Sequence, residues 1–213
     1  DVAIVNGYKK QVLEKYLENR DITFFTNEKF DTTNMVSTLF NAKKFMDDDI
    51  IISYADIIYK KEILEKLIAS NEDFSVVIDK DWKLLWSLRM ENPLEDAETL
   101  RVVDGNIIEL GKKPGSYDDI EGQYIGLIKI SKSTMTRVTA FYESLDKGEL
   151  YDGQAYDNMY MTSLIQMIID NLIDVKPVFI NGGWIEIDTA DDFEIFNDLH
   201  LKDTLKNFIK LKN

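Results

Sequence analysis

Short β-branched apolar runs alternate with amphipathic stretches along most of the chain. VAIV (2–5) passes through Asn6-Gly7 into a helical stretch from Lys9 to Glu18, and ITFF (22–25) precedes a helix from about Met35 to Lys44. DIIIS (49–53) precedes a helix from Lys61 to Ala69, and FSVVID (74–79) adds a further strand. Strands alternating with helices of about ten residues predict βα units in series. The fold class expected is therefore α/β: a mixed, mainly parallel central sheet with helices on both faces and ligands at the carboxyl ends of strands. Around Asp104-Gly105-Asn106 the pattern changes to two short extended runs, LRVVD and NIIEL, and Asp-Gly predicts an antiparallel hairpin. QYIGLIKI (123–130) reads as a strand, Ser133 to Leu145 as a helix, and Asn158 to Asn171 carries apolar residues at helical spacing. VKPVFI, a Gly182-Gly183 break, WIEID and a helix from Thr189 to about Leu199 follow. Neither a repeat nor a linker interrupts the series, so 1–213 reads as one domain.

Composition narrows the chemistry. The 213 residues carry 25 Lys plus Arg against 39 Asp plus Glu, a net charge of −14, and contain no cysteine. Disulfides and Cys-based metal sites are excluded, and the single histidine, His200 in the polar segment FNDLHLKD, excludes His-cluster zinc. A surface of this sign repels nucleic-acid backbones, although a small phosphorylated ligand needs only a few local cations. No apolar run approaches the roughly 20 residues that span a bilayer, and no signal-peptide pattern is visible, so a cytoplasmic location without membrane partners is expected.

Four segments are candidates for chemistry. Asp56, in IIISYADIIY, follows an apolar strand, where a carboxylate can hold Mg2+ through hard oxygen donors; the plain alternative is a helix N-cap. In WIEIDTADDF the period of two puts Glu186 and Asp188 on one face, within reach of a cation that Asp56 also touches, whereas Thr189, Asp191 and Asp192 suit helix capping. Lys112-Lys113, after Gly111 at the end of the hairpin, can neutralise a phosphate or form a solvated turn. Asn34 and Ser37, in DTTNMVSTLF, stand at a strand-to-helix junction, where they can contact a base or ribose or act as caps.

Taken in order, these segments resemble the nucleotidyltransferases of the phosphocholine cytidylyltransferase type, in the sugar-phosphate nucleotidylyltransferase superfamily. VNGYKKQ looks like the strand and Gly-Tyr turn that follow the family's first helix, DTTNMVSTLF like the segment beside the nucleotide, and SYADIIY like the segment whose aspartate binds Mg2+. DKDWKLLWSLRMENPLEDAETL, followed by the hairpin and ELGKK, is the most specific part, with Trp82, Arg89, Pro93 and Glu95. QYIGLIKIS is similar to the substrate-lining strand, and WIEIDTADDF to the closing segment with the second metal carboxylate. Family members also have a first strand, a G-x-G-x-R loop and a lysine after a proline. The sequence contains no G-x-G, and Asp1 falls where the family's second strand begins, so that segment is expected upstream of residue 1.

The resemblance implies a Rossmann-like nucleotidyltransferase with Mg2+ as cofactor. Its partners would be CTP and a small phosphorylated acceptor, such as phosphocholine, a phosphonate or phosphoglutamine, with a possible homodimer. CMP transfer with release of pyrophosphate would give a CDP-linked precursor for surface polysaccharide modification. Asp56 and Asp188 are then the metal ligands, Lys112 and Lys113 the phosphate-balancing cations, and Gly7, Tyr8, Asn34, Ser37 and Asp56 the nucleotide contacts. Arg89, Tyr124, Gly126, Asn158, Tyr160, Trp184 and Glu186 are the acceptor-pocket candidates; Arg89 could equally pair with Glu91 or Glu95, and the aromatic residues could enclose a quaternary ammonium or simply be core. The competing readings are a sugar-1-phosphate nucleotidylyltransferase, an inactive nucleotide-binding or scaffold domain, and a flavodoxin-like receiver or hydrolase, which the hairpin and late WIEID strand do not suit.

Overall fold

The structure is a computed structural model, described here for residues 1–209. Strand β1 (Ala3–Asn6), helix α1 (Lys10–Tyr16), β2 (Thr23–Thr26), α2 (Met35–Phe40), β3 (Ile50–Ser53), β4 (Ile57–Tyr59), α3 (Lys61–Ile68) and β5 (Phe74–Asp79) form the first half. The second half comprises α4 (Trp82–Arg89), the hairpin β6 (Leu100–Val103) and β7 (Asn106–Leu110), β8 (Gln123–Ile130), α5 (Lys132–Ser144), β9 (Leu150–Tyr151), β10 (Gln154–Ala155), α6 (Met161–Asn171), β11 (Lys176–Ile180), β12 (Trp184–Glu186) and α7 (Ala190–Leu201).

The central sheet has the order β11-β5-β8-β3. β11 pairs parallel with β5, while β8 runs antiparallel to both β5 and β3. Three of its four strands thus share one direction and β8 alone is reversed, so the sheet is mixed, with one parallel and two antiparallel pairings. β1 and β2 form a separate parallel pair, and β12 pairs antiparallel with β4. The Asp104-Gly105 hairpin forms as expected, with both residues at positive φ.

Every residue of β5 is buried, because apolar layers cover both faces of the sheet. Alternation sorts its side chains: Val76 and Ile78 join the cluster with Ile128, Ile130, Met135, Leu164 and Ile165, whereas Val77 joins Ile63, Leu67, Trp82, Trp86, Leu127 and Trp184 on the opposite face. β3 departs from the expected buried strand. Ile51 and Ser53 are exposed in alternation with Ile50 and Ile52, the pattern of a strand at the border of a sheet. The apolar periodicity does not distinguish β3 from β5, since only the neighbours decide whether the second face is covered. The helix expected from Met35 to Lys44 ends at Phe40 and resumes as a 3-10 turn at Lys43–Phe45. That expected from Asn158 starts at Met161, after a 3-10 turn at Tyr156–Asn158. Helix α4, strand β4 and the hairpin β9–β10 carry no expectation from sequence.

Candidate functional site

Asp56 and Asp188 lie far apart in the chain, and one strand pairing brings them into each other's field. β4 and β12 align Ile57 with Glu186, and beyond that register the Ile187 N–H donates to the Asp56 carbonyl at 2.9 Å. Asp56 is not a cap, because the N-cap position of α3 is Lys60. Its Oδ1 is buried without a hydrogen-bond partner among the described residues. Burial pushes the Asp56 carboxyl up, and the neighbouring Asp188 charge adds to that while Arg89 opposes it. Asp188 itself is exposed.

Arg89 closes this corner. Its side chain is only 4% exposed, and the guanidinium donates to Asp192 Oδ1 at 2.8 Å, to Asp192 Oδ2 at 3.1 Å and to Glu186, with Asp188 Oδ2 at 3.9 Å. Burial alone would lower the arginine's affinity for its proton, but Asp192 and Glu186 outweigh it and the pKa rises. The Asp192 carboxyl is pushed up by burial yet ends below its ordinary value, because Arg89 and the Thr189 backbone hydrogen-bond to it. The expectation that Arg89 balances substrate phosphate is therefore corrected: its donors are committed to carboxylates of β12 and α7, not to Glu91 or Glu95. Glu186, expected to touch substrate, is likewise engaged by Arg89, and its carboxyl is raised chiefly by burial. Asp192 forms a reciprocal capping box with Thr189, so its reading as a cap holds.

Among the described residues, no group of three or more His, Asp or Glu side chains could hold a metal alone. Mg2+ does not require one, since it is commonly bound through one or two carboxylates with waters and phosphate oxygens completing the shell. An unpartnered buried carboxylate oxygen beside an exposed carboxylate suits that chemistry.

A cavity of about 400 Å³ gathers the remaining charged candidates. It is lined by Glu98, Gly111, Lys112, Lys113, Asp152, Tyr160 and Ser163. The hairpin builds one wall: the Thr99 N–H donates to the Lys112 carbonyl at 2.8 Å and the Gly111 N–H to the Thr99 carbonyl at 3.1 Å, so the ladder continues to Glu98 and the lysines. Gly111 has φ +87 and lies against Thr162, where a Cβ would come within 2.5 Å of the threonine Cβ. Among the described residues Lys112 Nζ is held by Glu109 at 3.1 Å, with 61% of its side chain exposed, whereas Lys113 Nζ reaches the carbonyls of Leu94 (2.9 Å) and Glu95. Lys112 is the freer of the two cations.

Tyr54 lies in the field of both groups of carboxylates. Burial raises its hydroxyl pKa, and Glu98 on the one hand and Asp56 and Glu186 on the other raise it further. Its ring meets Tyr124 edge-on at 5.8 Å. Gly126, expected to touch substrate, instead seats that ring: with φ +80, a Cβ there would lie 2.5 Å from Tyr54 Cγ. Among the described residues the buried Tyr124 hydroxyl has no hydrogen-bond partner. Trp184, expected in the acceptor pocket, is corrected to core, since it is 2% exposed and its Nε1–H donates to Asp79 Oδ2 at 2.8 Å. Of the expected aromatic wall, only Tyr160 lines the cavity.

The nucleotide candidates divide. Asn34 Oδ1 accepts from the Met35 N–H at 2.8 Å, which is its capping role, while its own N–H donates to the Asp157 carbonyl at 2.9 Å. That bond brings Asn34, Ser37 on α2 and Asn158 into one neighbourhood. Gly7 lies against Phe30, and Tyr8 is exposed with its ring 6.2 Å from Phe30. Sequence reasoning missed Glu98, Tyr54, Asp152 and Ser163. Asp152-Gly153 repeats the Asp-Gly signal and does form the tip of the hairpin β9–β10, so it was detectable; a loop glutamate such as Glu98 carries no comparable signal.

No protein-family model matches the chain. It is 50% identical over 202 residues to a CTP:phosphoglutamine cytidylyltransferase of Campylobacter jejuni, an alignment covering 92% of this chain and 80% of that protein. In fold it is similar to an inositol-1-phosphate CTP transferase from T. maritima, with TM-score 0.71 and 16% identity, covering 98% of this chain and 78% of the other. It is also similar to the CTP:phosphocholine cytidylyltransferase from Streptococcus pneumoniae, with TM-score 0.66 and 16% identity, over 94% and 78% of the two chains.

Proposed function

The chain belongs to the CTP:phospho-acceptor cytidylyltransferases, and from that premise we propose that it transfers CMP from CTP to a small phosphorylated acceptor with Mg2+ and releases pyrophosphate. One observation carries the geometric side of this reading: the β4–β12 pairing sets an unpartnered buried oxygen of Asp56 beside Asp188. These two carboxylates would hold the Mg2+, which when bound neutralises charge on phosphate oxygens. Arg89 ties β12 to α7 through Glu186 and Asp192 and so positions Asp188. An oxygen of the acceptor phosphate attacks the α-phosphorus of CTP in line; the new P–O bond forms as the bond to the bridging oxygen breaks, and pyrophosphate carries away the electron pair. The residues of this chain contribute placement and charge balance to that step rather than a covalent intermediate.

In this reading the cavity takes the acceptor, with Lys112 as the principal cation for its phosphate and Lys113 beside it. Asn34 and Ser37 face the nucleotide. The phosphoglutamine named for the Campylobacter relative is the first acceptor to try, and a CDP-linked product would feed surface polysaccharide modification.

The test is pyrophosphate release from each of the four nucleoside triphosphates with a panel of phosphorylated acceptors. CTP should be the triphosphate turned over, and Asp56→Asn should lower kcat by ~10²- to 10³-fold. A preference of about tenfold for UTP or dTTP over CTP, or full activity of Asp56→Asn, would each overturn the corresponding part.

A further inference from the structure

The cavity lining carries both signs of charge in a small space. Lys112, Lys113 and the start of α6, where the N-cap position Tyr160 supplies no side-chain cap, are its electropositive parts. Glu98 and Asp152 are its electronegative parts. Glu98 has no Lys or Arg within 4.0 Å among the described residues, and the hydrogen bond to its carboxylate is a long one, from Thr162 Oγ1 at 3.3 Å. Burial raises its carboxyl pKa, and Asp96 and Asp152 add to that rise.

The main chain at Glu98 does not need that side chain. Gln123 fixes it from both directions, accepting from the Glu98 N–H at 3.0 Å and donating to the Glu98 carbonyl at 2.6 Å. The fold therefore holds a carboxylate rigidly at the cavity without giving it a cationic partner. Burying an unpaired charge is costly, so such a group calls for a ligand that supplies the cation.

We propose that Glu98 is a specificity-determining residue that receives a primary ammonium group of the acceptor, with Asp152 adding negative field, so that the acceptor is a zwitterion of phosphate and ammonium. This rests on the reading of the cavity as the acceptor site. A quaternary ammonium fits the lining less well, because it cannot donate hydrogen bonds and is held by several aromatic faces, whereas Tyr160 is the one aromatic side chain lining the cavity. A primary ammonium has three donors, which match Glu98, Asp152 and the Ser163 hydroxyl.

The enzyme should be assayed with phosphoglutamine, phosphoethanolamine, the N-acetyl derivative of each, and phosphocholine. Free amines should exceed their N-acetyl counterparts in kcat/KM by ~10²-fold or more, with phosphocholine below phosphoethanolamine. Glu98→Gln, which keeps the shape and the Thr162 contact, should raise KM for the amines by ~30- to 100-fold with kcat and the KM for CTP little changed. Discrimination against the N-acetyl compounds should collapse in that variant, and Glu98→Asp should recover part of it. Undiminished discrimination in Glu98→Gln, or equal loss on charged and acetylated acceptors, overturns the proposal. If no acceptor supports CTP turnover, the proposed reaction fails, and calorimetric binding of the same paired compounds to wild type and Glu98→Gln still decides the role of Glu98.

Discussion

Asp79 and Asp56 each sit at or just beyond the end of an apolar strand, and the fold treats them in opposite ways. Asp79 is 1% exposed and saturated: Oδ1 accepts from the N–H groups of Asp81 (2.9 Å) and Gly182 (2.8 Å), and Oδ2 from Trp184 Nε1 at 2.8 Å. It pins the end of β5 to the glycine break before β12. Asp56 has an equally hidden oxygen with nothing bonded to it. The same contrast separates Asp192, clamped by Arg89 and Thr189, from Glu98, which lacks a cation. Asp79 and Asp192 are saturated and tie elements of the scaffold together, whereas among the described residues Asp56 Oδ1 has no hydrogen-bond partner and Glu98 no cation within 4.0 Å.

The largest effect should come from breaking the best-saturated corner. Arg89→Leu leaves Asp192 and Glu186 buried without their cation and should cost about 3–5 kcal/mol in denaturant titration at neutral pH. Because the Asp192 pKa is lowered on folding, its contribution is complete above the ordinary aspartate range and is lost as pH falls through the lowered value. The gap between wild type and Arg89→Leu should accordingly narrow in acid. A gap that stays constant with pH would show that the carboxylates are not what Arg89 stabilises.

A smaller loss is expected from Asp79→Ala, which strands three donors and should cost about 3 kcal/mol, with a change in tryptophan fluorescence as Trp184 loses its partner. An unchanged melting temperature would erase the contrast with Asp56.

The smallest effect, and one of opposite sign, belongs to Asp56→Asn in metal-free buffer. Burial raises the Asp56 pKa on folding, so its ionised form is a penalty that grows as pH rises through that value and fades as pH falls. The variant should be as stable as wild type or more so at pH 7, by less than about 1 kcal/mol, and the advantage should vanish in acid. Destabilisation comparable to that of Asp79→Ala would place Asp56 in the scaffold.

Much of this was legible in the chain because the signals are local. The strand at Phe74–Asp79, the Asp104-Gly105 turn and the capping role of Thr189 and Asp192 each depend on neighbours a few residues apart, and each forms as read. So does the parity that turns Glu186, at the end of β12, and Asp188, two residues beyond it, towards Arg89, although Arg89 rather than a substrate claims Glu186. Apart from helix boundaries, the misreadings at the site concern long-range partners. Nothing near Arg89 in sequence points to Asp192, nothing near Trp184 points to Asp79, and Gly126 gives no sign of the Tyr54 ring that rests on it.

By itself the sequence determined an acidic α/β chain with strands, helices and turns in known order, and a small set of carboxylates, lysines and asparagines able to do phosphate chemistry. Only the tertiary structure decided which carboxylates are spent. A side chain's hydrogen-bond saturation depends on donors brought up by strand pairing and helix packing, such as the β4–β12 register and the docking of α7 on α4. Apolar periodicity specifies which face of an element turns inward, but it is silent on which polar group from a distant element will meet it there.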